Sequence, residues 1–221
     1  MTELPFANRQ AAGRALAKRL EARKKDSPLV LGLPRGGVPV AAEVARALGA
    51  ALDVMVVRKL GMPGHEEFAL GAIASGGITV LDEPLIQRLR IDTDGLQAVI
   101  DKERRELARR ELTYRGDRAY PDLRGRQVIL IDDGIATGSS MRAAIQAVRQ
   151  LGVRHCTLAV PVAPAETLAE LADEADDIVC VATPEHFRAV GQWYVEFAQT
   201  SDDEVCTLLN DPGLRADDPA S

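Results

Sequence analysis

The 221-residue chain reads as an α/β fold: a doubly wound, mostly parallel sheet with helices on both faces and a small added hood. Three observations predict it. Short, continuously apolar runs such as 28–33 (PLVLGL) and 128–131 (VILI) suit parallel strands covered on both faces. Each run is followed by a glycine-bearing turn and then by a helical period. Strands of this kind alternate with helices along the chain, and in such sheets ligands bind beyond the carboxyl ends of the strands.

The elements follow in order. From Arg9 to about Lys24, Ala11, Ala15, Leu16 and Leu20 make an apolar stripe opposite abundant charge, which predicts a packing helix. The run 28–33 leads into the turn Pro34, Arg35, Gly36, Gly37 and a helix over 38–48. A second apolar strand begins at Asp53, ends in Arg58 and Lys59, and opens into the loop 60–68 (LGMPGHEEF). Residues 69–82 suggest a hairpin that turns at Gly76-Gly77. A long charged helix over 94–114 carries an inner stripe of Leu96, Ile100 and Leu107, with i,i+4 pairs from Asp101 to Arg105 and from Glu106 to Arg110. Its arginines are most simply solvated surface groups. After the run 128–131, Met141, Ala144, Ile145, Val148 and Leu151 mark another helix; a strand (153–160), a helix (about 165–173), a strand (178–182) and an irregular aromatic segment complete the pattern. Residues 1–210 form a single expected domain, and 211–221 an expected disordered tail.

Composition narrows the function. Lys and Arg number 27 against 33 Asp and Glu, a net charge of −6, which disfavours nucleic acid or an anionic membrane as partner. Cys156, Cys180 and Cys206 are odd in number and widely spaced, as for thiols in a reducing cytosol rather than a disulfide framework. His65, His155 and His186 do not pair at helical ligand spacing, so no zinc site is expected. The N-terminus lacks a signal pattern and no run is long enough to span a bilayer, which makes a cytoplasmic location the expectation.

The chemistry concentrates at 128–141 (VILIDDGIATGSSM). Asp132 and Asp133 sit at the end of a buried strand, and Ala136, Thr137, Gly138, Ser139 and Ser140 open a helix. A helix N-terminus offers unpaired amides and a partial positive charge, and the hydroxyls add donors, which together suit a phosphate. Two carboxylates would repel that phosphate, so their plausible task is to accept hydrogen bonds from sugar hydroxyls about one ribose away. An ordinary strand-to-helix turn with Asp caps is the plain alternative.

This motif resembles the phosphoribosyl pyrophosphate (PRPP) loop of the type I phosphoribosyltransferases: an apolar run, two acids, variable residues, then Thr-Gly and a small hydroxyl residue. The resemblance implies that Asp132 and Asp133 bind the ribose 2- and 3-hydroxyls and that Ala136 to Ser140 cradle the 5-phosphate. It also implies a pyrophosphate-binding turn at Arg35, Gly36 and Gly37, with a non-proline cis peptide near Arg35 and Gly36. Arg58 and Lys59 are similar to the Arg-Lys turn of adenine phosphoribosyltransferases and become candidates for the leaving pyrophosphate, a solvated basic pair being the alternative. Loop 60–68 is the lid candidate, with Glu66 and Glu67 as its possible acid or base. Enzymes for 6-oxopurines place an Asp where this chain has Ala136, whereas adenine enzymes have Ala.

Substrate choice in this family resides in a hood, expected here from the N-terminal region and the C-terminal segment at about 183–200. Phe187, Trp193, Tyr194 and Phe197 either stack on a base or pack the cap. The likeness to predicted phosphoribosyltransferases of unestablished acceptor covers nearly the whole chain. It implies a PRPP-dependent pentosyltransferase with Mg²⁺ bound mainly through PRPP, acting on a nucleobase or similar nitrogenous acceptor as a homodimer. A PRPP- or nucleotide-sensing regulatory protein without turnover is the alternative. A metal-dependent phosphatase ranks below both, because its usual Asp-x-Asp order differs from Asp132-Asp133.

Overall fold

A computed structural model of the chain describes residues 4–215, except for the side chains of Glu66 and Glu67. Its strands are β1 (Leu29–Gly32), β2 (Ala51–Val54), β3 (Val57–Met62), β4 (His65–Ala74), β5 (Ile78–Leu81), β6 (Gln127–Ile131), β7 (His155–Val162) and β8 (Asp177–Ala182). Five of them make one sheet in the order β2-β1-β6-β7-β8, parallel throughout. β3, β4 and β5 make a separate antiparallel sheet.

The helices are α1 (Arg9–Leu20), α2 (Gly37–Leu48), α3 (Glu83–Leu89), α4 (Thr93–Arg115), α5 (Ser139–Gln150), α6 (Ala165–Leu171) and α7 (Asp202–Leu209). Strand alternation divides the core between them. Val30, Ile129 and Ile131 pack with α1, α2 and α7, while Leu29, Leu31, Val128 and Leu130 pack with α5 and α6. Full burial of such side chains is worth about 1.5–3 kcal/mol each, enough to make both faces obligatory. β1 leaves toward β2 on one side and β6 begins the run to the other side. The crevice beyond Gly32 and Ile131 is therefore the topological switch point of the sheet.

Several sequence expectations change. The N-terminal helix stops at Leu20, and residues 21–26 tighten into a 3₁₀ turn ending at Ser27 in the left-handed region. α3 and α7 were not anticipated: each is short, and each begins at a side-chain cap, Asp82 and Ser201 respectively. Arg58 and Lys59 do not end a strand of the parallel sheet; they lie inside β3. Residues 60–68, expected as a loop and lid candidate, form the end of the β3–β4 hairpin, which turns at Pro63 and Gly64. The hairpin at 69–82 turns at Gly76 and Gly77 as expected, both with positive φ. Asp211 to Arg215, expected in a disordered tail, form a turn in which Leu214 is buried and its carbonyl accepts from the Leu52 amide. Residues 216–221 lie outside the described residues.

Candidate functional site

Both turns at the switch point are built by backbone constraint. After β6, Gly138 adopts φ +73°, a left-handed conformation that glycine takes without strain, and the first intrahelical bond of α5 runs from Arg142 N to Gly138 O (2.8 Å). The amides of Ser139, Ser140 and Met141 precede it, and no side chain caps them. The loop is pinned from outside: Ile135 N donates to Val162 O (3.0 Å) and the Thr167 hydroxyl to Ala136 O (2.9 Å). Thr137 and Ala136 are exposed, and the Thr137 and Ser139 hydroxyls lie 3.3 Å apart. The result is an open anion cradle.

The second turn fits against the first. The Pro34–Arg35 peptide is cis, at the position the sequence reading named. Gly37 donates to Leu33 O (3.0 Å), and among the described residues the Arg35 and Gly36 amides have no backbone partner, so they are available to an anion. A Cβ on Gly36 would stand 2.1 Å from Asp133 Oδ2, and one on Gly37 would stand 2.6 Å from Ile131 O and 2.8 Å from the Asp132 Cα. Only glycine allows so close an approach. The Arg35 guanidinium points to Asp202 at the start of α7 (3.9 Å), whose carboxylate also accepts from Tyr114 (2.7 Å).

Between the turns lie the two acids. Asp132 Oδ1 accepts from the Asp133 amide (2.8 Å), and Asp133 Oδ2 accepts from Arg9 Nε (2.8 Å). Each carboxylate therefore has one oxygen engaged and, among the described residues, one uncommitted. Burial pushes the Asp132 carboxyl well above its ordinary range, and the neighbouring Asp133 charge adds to the effect. Burial also raises Asp133, against the lowering effect of Arg9.

Arg9 and Tyr194 are site residues that the sequence reading missed. Arg9 lies in a stretch whose pattern predicts only a packing helix, and for Tyr194 the sequence suggests base stacking or cap packing through the ring rather than this hydroxyl contact. The Tyr194 hydroxyl donates to Asp133 O (2.5 Å), and burial raises its pKa. The two segments named as a hood are joined here by three backbone bonds: Phe6 N to Trp193 O, Val195 N to Phe6 O and Glu196 N to Ala7 O. Their aromatics engage one another, Phe6 with Tyr194, Tyr194 with Phe197, and Phe187 with Trp193. Val190 closes over Gly134, where a Cβ would come within 2.6 Å of it.

The cation pair of β3 is divided. Arg58 places Nε and Nη2 at 2.8 and 2.7 Å from the buried Glu103 carboxylate on α4. Lys59 is exposed and lines a groove of about 730 Å³ between the antiparallel sheet and α5, with Ser139 at its rim. Glu66 and Glu67 fall in β4, and their side chains lie outside the described residues. Among the described residues no group of three or more His, Cys, Asp or Glu is placed to hold a metal ion. No helix there is long and apolar enough to cross a membrane.

Residues 7–198 match the phosphoribosyl transferase domain family. Two proteins from two strains of Mycobacterium tuberculosis, provisionally named phosphoribosyl transferases, are each 48% identical over 205 residues. That match covers 93% of this chain and 46% of each relative, so the chain spans about half their length. The crystal structure of TT1426 from Thermus thermophilus is 44% identical, covers 92% of this chain and 97% of its own, and superposes with a TM-score of 0.83. A Neisseria gonorrhoeae protein crystallised with bound ppGpp shares the fold at 13% identity and a TM-score of 0.52, over 91% of this chain and 90% of its own.

Proposed function

The chain belongs to the phosphoribosyl transferase domain family, and from that premise we propose that it transfers the phosphoribosyl group of PRPP to a nucleobase or similar nitrogenous acceptor, with release of pyrophosphate. One observation carries the reading. At the switch point two adjacent carboxylates each retain one free oxygen, one for each of two vicinal hydroxyls, beside an uncapped helix N-terminus for the 5-phosphate.

In this reading the Asp132 and Asp133 oxygens hold the ribose, Ala136 to Ser140 hold the phosphate, and the Arg35 and Gly36 amides meet the pyrophosphate. Displacement at C1 passes through a state with oxocarbenium character. The chain contributes chiefly by holding acceptor and C1 in line and by placing donors where the leaving group gathers charge. Arg35 would exchange Asp202 for pyrophosphate, and Lys59 would add a second cation from the groove it lines beside α5. Mg²⁺ is proposed as a companion of PRPP, held mainly by the ligand itself, and would supply charge neutralisation to the diphosphate. Residues 183–200 with the N-terminal segment form the proposed hood of a single domain, which we place in the cytoplasm as a homodimer.

A second reading keeps the same site without turnover, in a protein that senses PRPP or a nucleotide; in either reading Arg35 and Arg58 are paired within the chain with Asp202 and Glu103 before ligand arrives. Incubation with Mg²⁺, PRPP and a panel of purines, pyrimidines and amines separates the two. Acceptor-dependent pyrophosphate release is the expected result. Binding of PRPP without release, for every acceptor, selects the sensor. By calorimetry, Asp133→Asn is expected to weaken PRPP binding by about 1–3 kcal/mol through loss of a charged acceptor; unchanged affinity removes the ribose role.

A further inference from the structure

Arg9 occupies an unfavourable position for a cation. It is the first residue of α1, after the Asn8 cap, where the helix presents its positive end, and no acid accompanies it in the first turn. A positive charge there is repelled by the helix dipole. Something beyond the helix must hold it.

Three contacts do so. Arg9 Nε donates to Asp133 Oδ2 (2.8 Å), Nη1 donates to Ala198 O (2.6 Å), and the guanidinium lies 4.0 Å from the centre of the Phe197 ring. Gly36 leaves the room for them, since a Cβ there would lie 3.2 Å from Nε. The Arg9 side chain is only 11% exposed. Because one edge of the guanidinium grips Asp133 and another grips the C-terminal segment, it cannot swing away from either without losing a charge-assisted bond.

We propose that Arg9 is a positioning residue for the phosphoribosyl site: it fixes the Asp133 carboxylate with Oδ2 engaged and Oδ1 turned to the sugar, and thereby couples ribose recognition to docking of residues 193–198. The inference rests on the function proposed above. The coupling follows from connectivity, because the bonds between residues 6–7 and 193–196 position both ends of the bridge that Arg9 completes. Electrostatics points the same way. Facing the acid pair are Arg9 from α1, the Tyr194 hydroxyl from the C-terminal segment and the carboxylates themselves; Arg35 of the neighbouring turn is directed to Asp202. Among the described residues Arg9 is thus the cation in contact with the pair, and it opposes the upward pull of burial on Asp133.

The test compares wild type, Arg9→Met and Arg9→Lys by calorimetric titration with PRPP and Mg²⁺ from acidic to mildly alkaline pH, alongside thermal melting. Arg9→Met is expected to bind PRPP about 10- to 100-fold more weakly near neutrality. Its loss of affinity on acidification should begin at higher pH than in wild type, because the uncompensated carboxylates take up protons sooner. Arg9→Lys, which restores charge without the two-edged grip, should return the pH dependence toward wild type while affinity stays intermediate. A merely structural residue would lower the melting temperature and leave the pH dependence in place, which overturns the proposal. So does Arg9→Met with wild-type affinity or, should that variant not fold, Arg9→Lys with wild-type affinity. Wild-type protein that takes no PRPP at any pH overturns the functional reading and this inference with it, a result distinct from either variant outcome.

Discussion

Two adjacent like-charged pairs, Asp132-Asp133 and Arg58-Lys59, look equivalent in the sequence and behave oppositely in the fold. The acids follow a parallel strand and lie in a turn, where the backbone bends enough for both carboxylates to meet one crevice. The bases lie inside β3, where successive side chains point to opposite faces. Arg58 accordingly meets Glu103 on α4, and Lys59 faces the groove beside α5. A charged dipeptide becomes one site in a turn and two separate groups in a strand.

The sharpest way to break this contrast is to disturb the turn. Gly37→Ala would put a Cβ against the backbone at Ile131 O and the Asp132 Cα, neither of which can yield as a side chain end can. Destabilisation toward the upper end of about 1–3 kcal/mol is expected, together with loss of measurable PRPP binding, because the two turns can no longer close on each other. Chemical denaturation and calorimetry read the two effects separately. Wild-type affinity in the variant would mean that the acids converge without the close packing of the turns.

The strand pair should split its effects. Arg58→Ala leaves the buried Glu103 carboxylate without its partner and is expected to cost about 1–3 kcal/mol of stability. Lys59→Ala should change stability by no more than about 0.5 kcal/mol, as for a surface substitution, yet lower PRPP affinity or turnover. If instead both variants lose ligand affinity equally and stability not at all, the two side chains share one face when ligand is bound, and the hairpin rearranges to bring them there.

Most of the parallel sheet and the acid-bearing turn were legible because the signals are local. A continuous apolar run states that both faces are covered, and Gly, Thr and Ser after it state how the next helix begins. Three features were not legible for the complementary reason. Arg9 meets Asp133 across 124 positions of chain, and nothing in the residues near Arg9 announces that contact. The sequence places Arg58 and Lys59 at the end of a strand because the break at residues 55 and 56, where one sheet gives way to the other, lies inside an unbroken apolar stretch (VMVV). Leu214 looked like part of a polar tail because its partners are backbone and core residues far earlier in the chain.

The smallest expected effect concerns the stability cost of the acid pair. The folded-state pKa of Asp132 is raised by burial and by Asp133, so between its ordinary range and that raised value the native state binds more protons than the unfolded chain. Unfolding free energy therefore falls as pH climbs through this window, and the carboxylate is destabilising at and above neutrality. Asp132→Asn removes the charge while keeping an oxygen to accept the Asp133 amide. It should melt about 1 °C higher than wild type at neutral pH and bind PRPP more weakly, and the difference in melting should shrink to nothing below the ordinary carboxylate range. An Asp132→Asn variant that melts lower at every pH would show instead that the Asp132 carboxylate is held by favourable contacts, and the contrast between a turn that buries a costly charge and a strand whose buried cation, Arg58, is paired would fail at its first member.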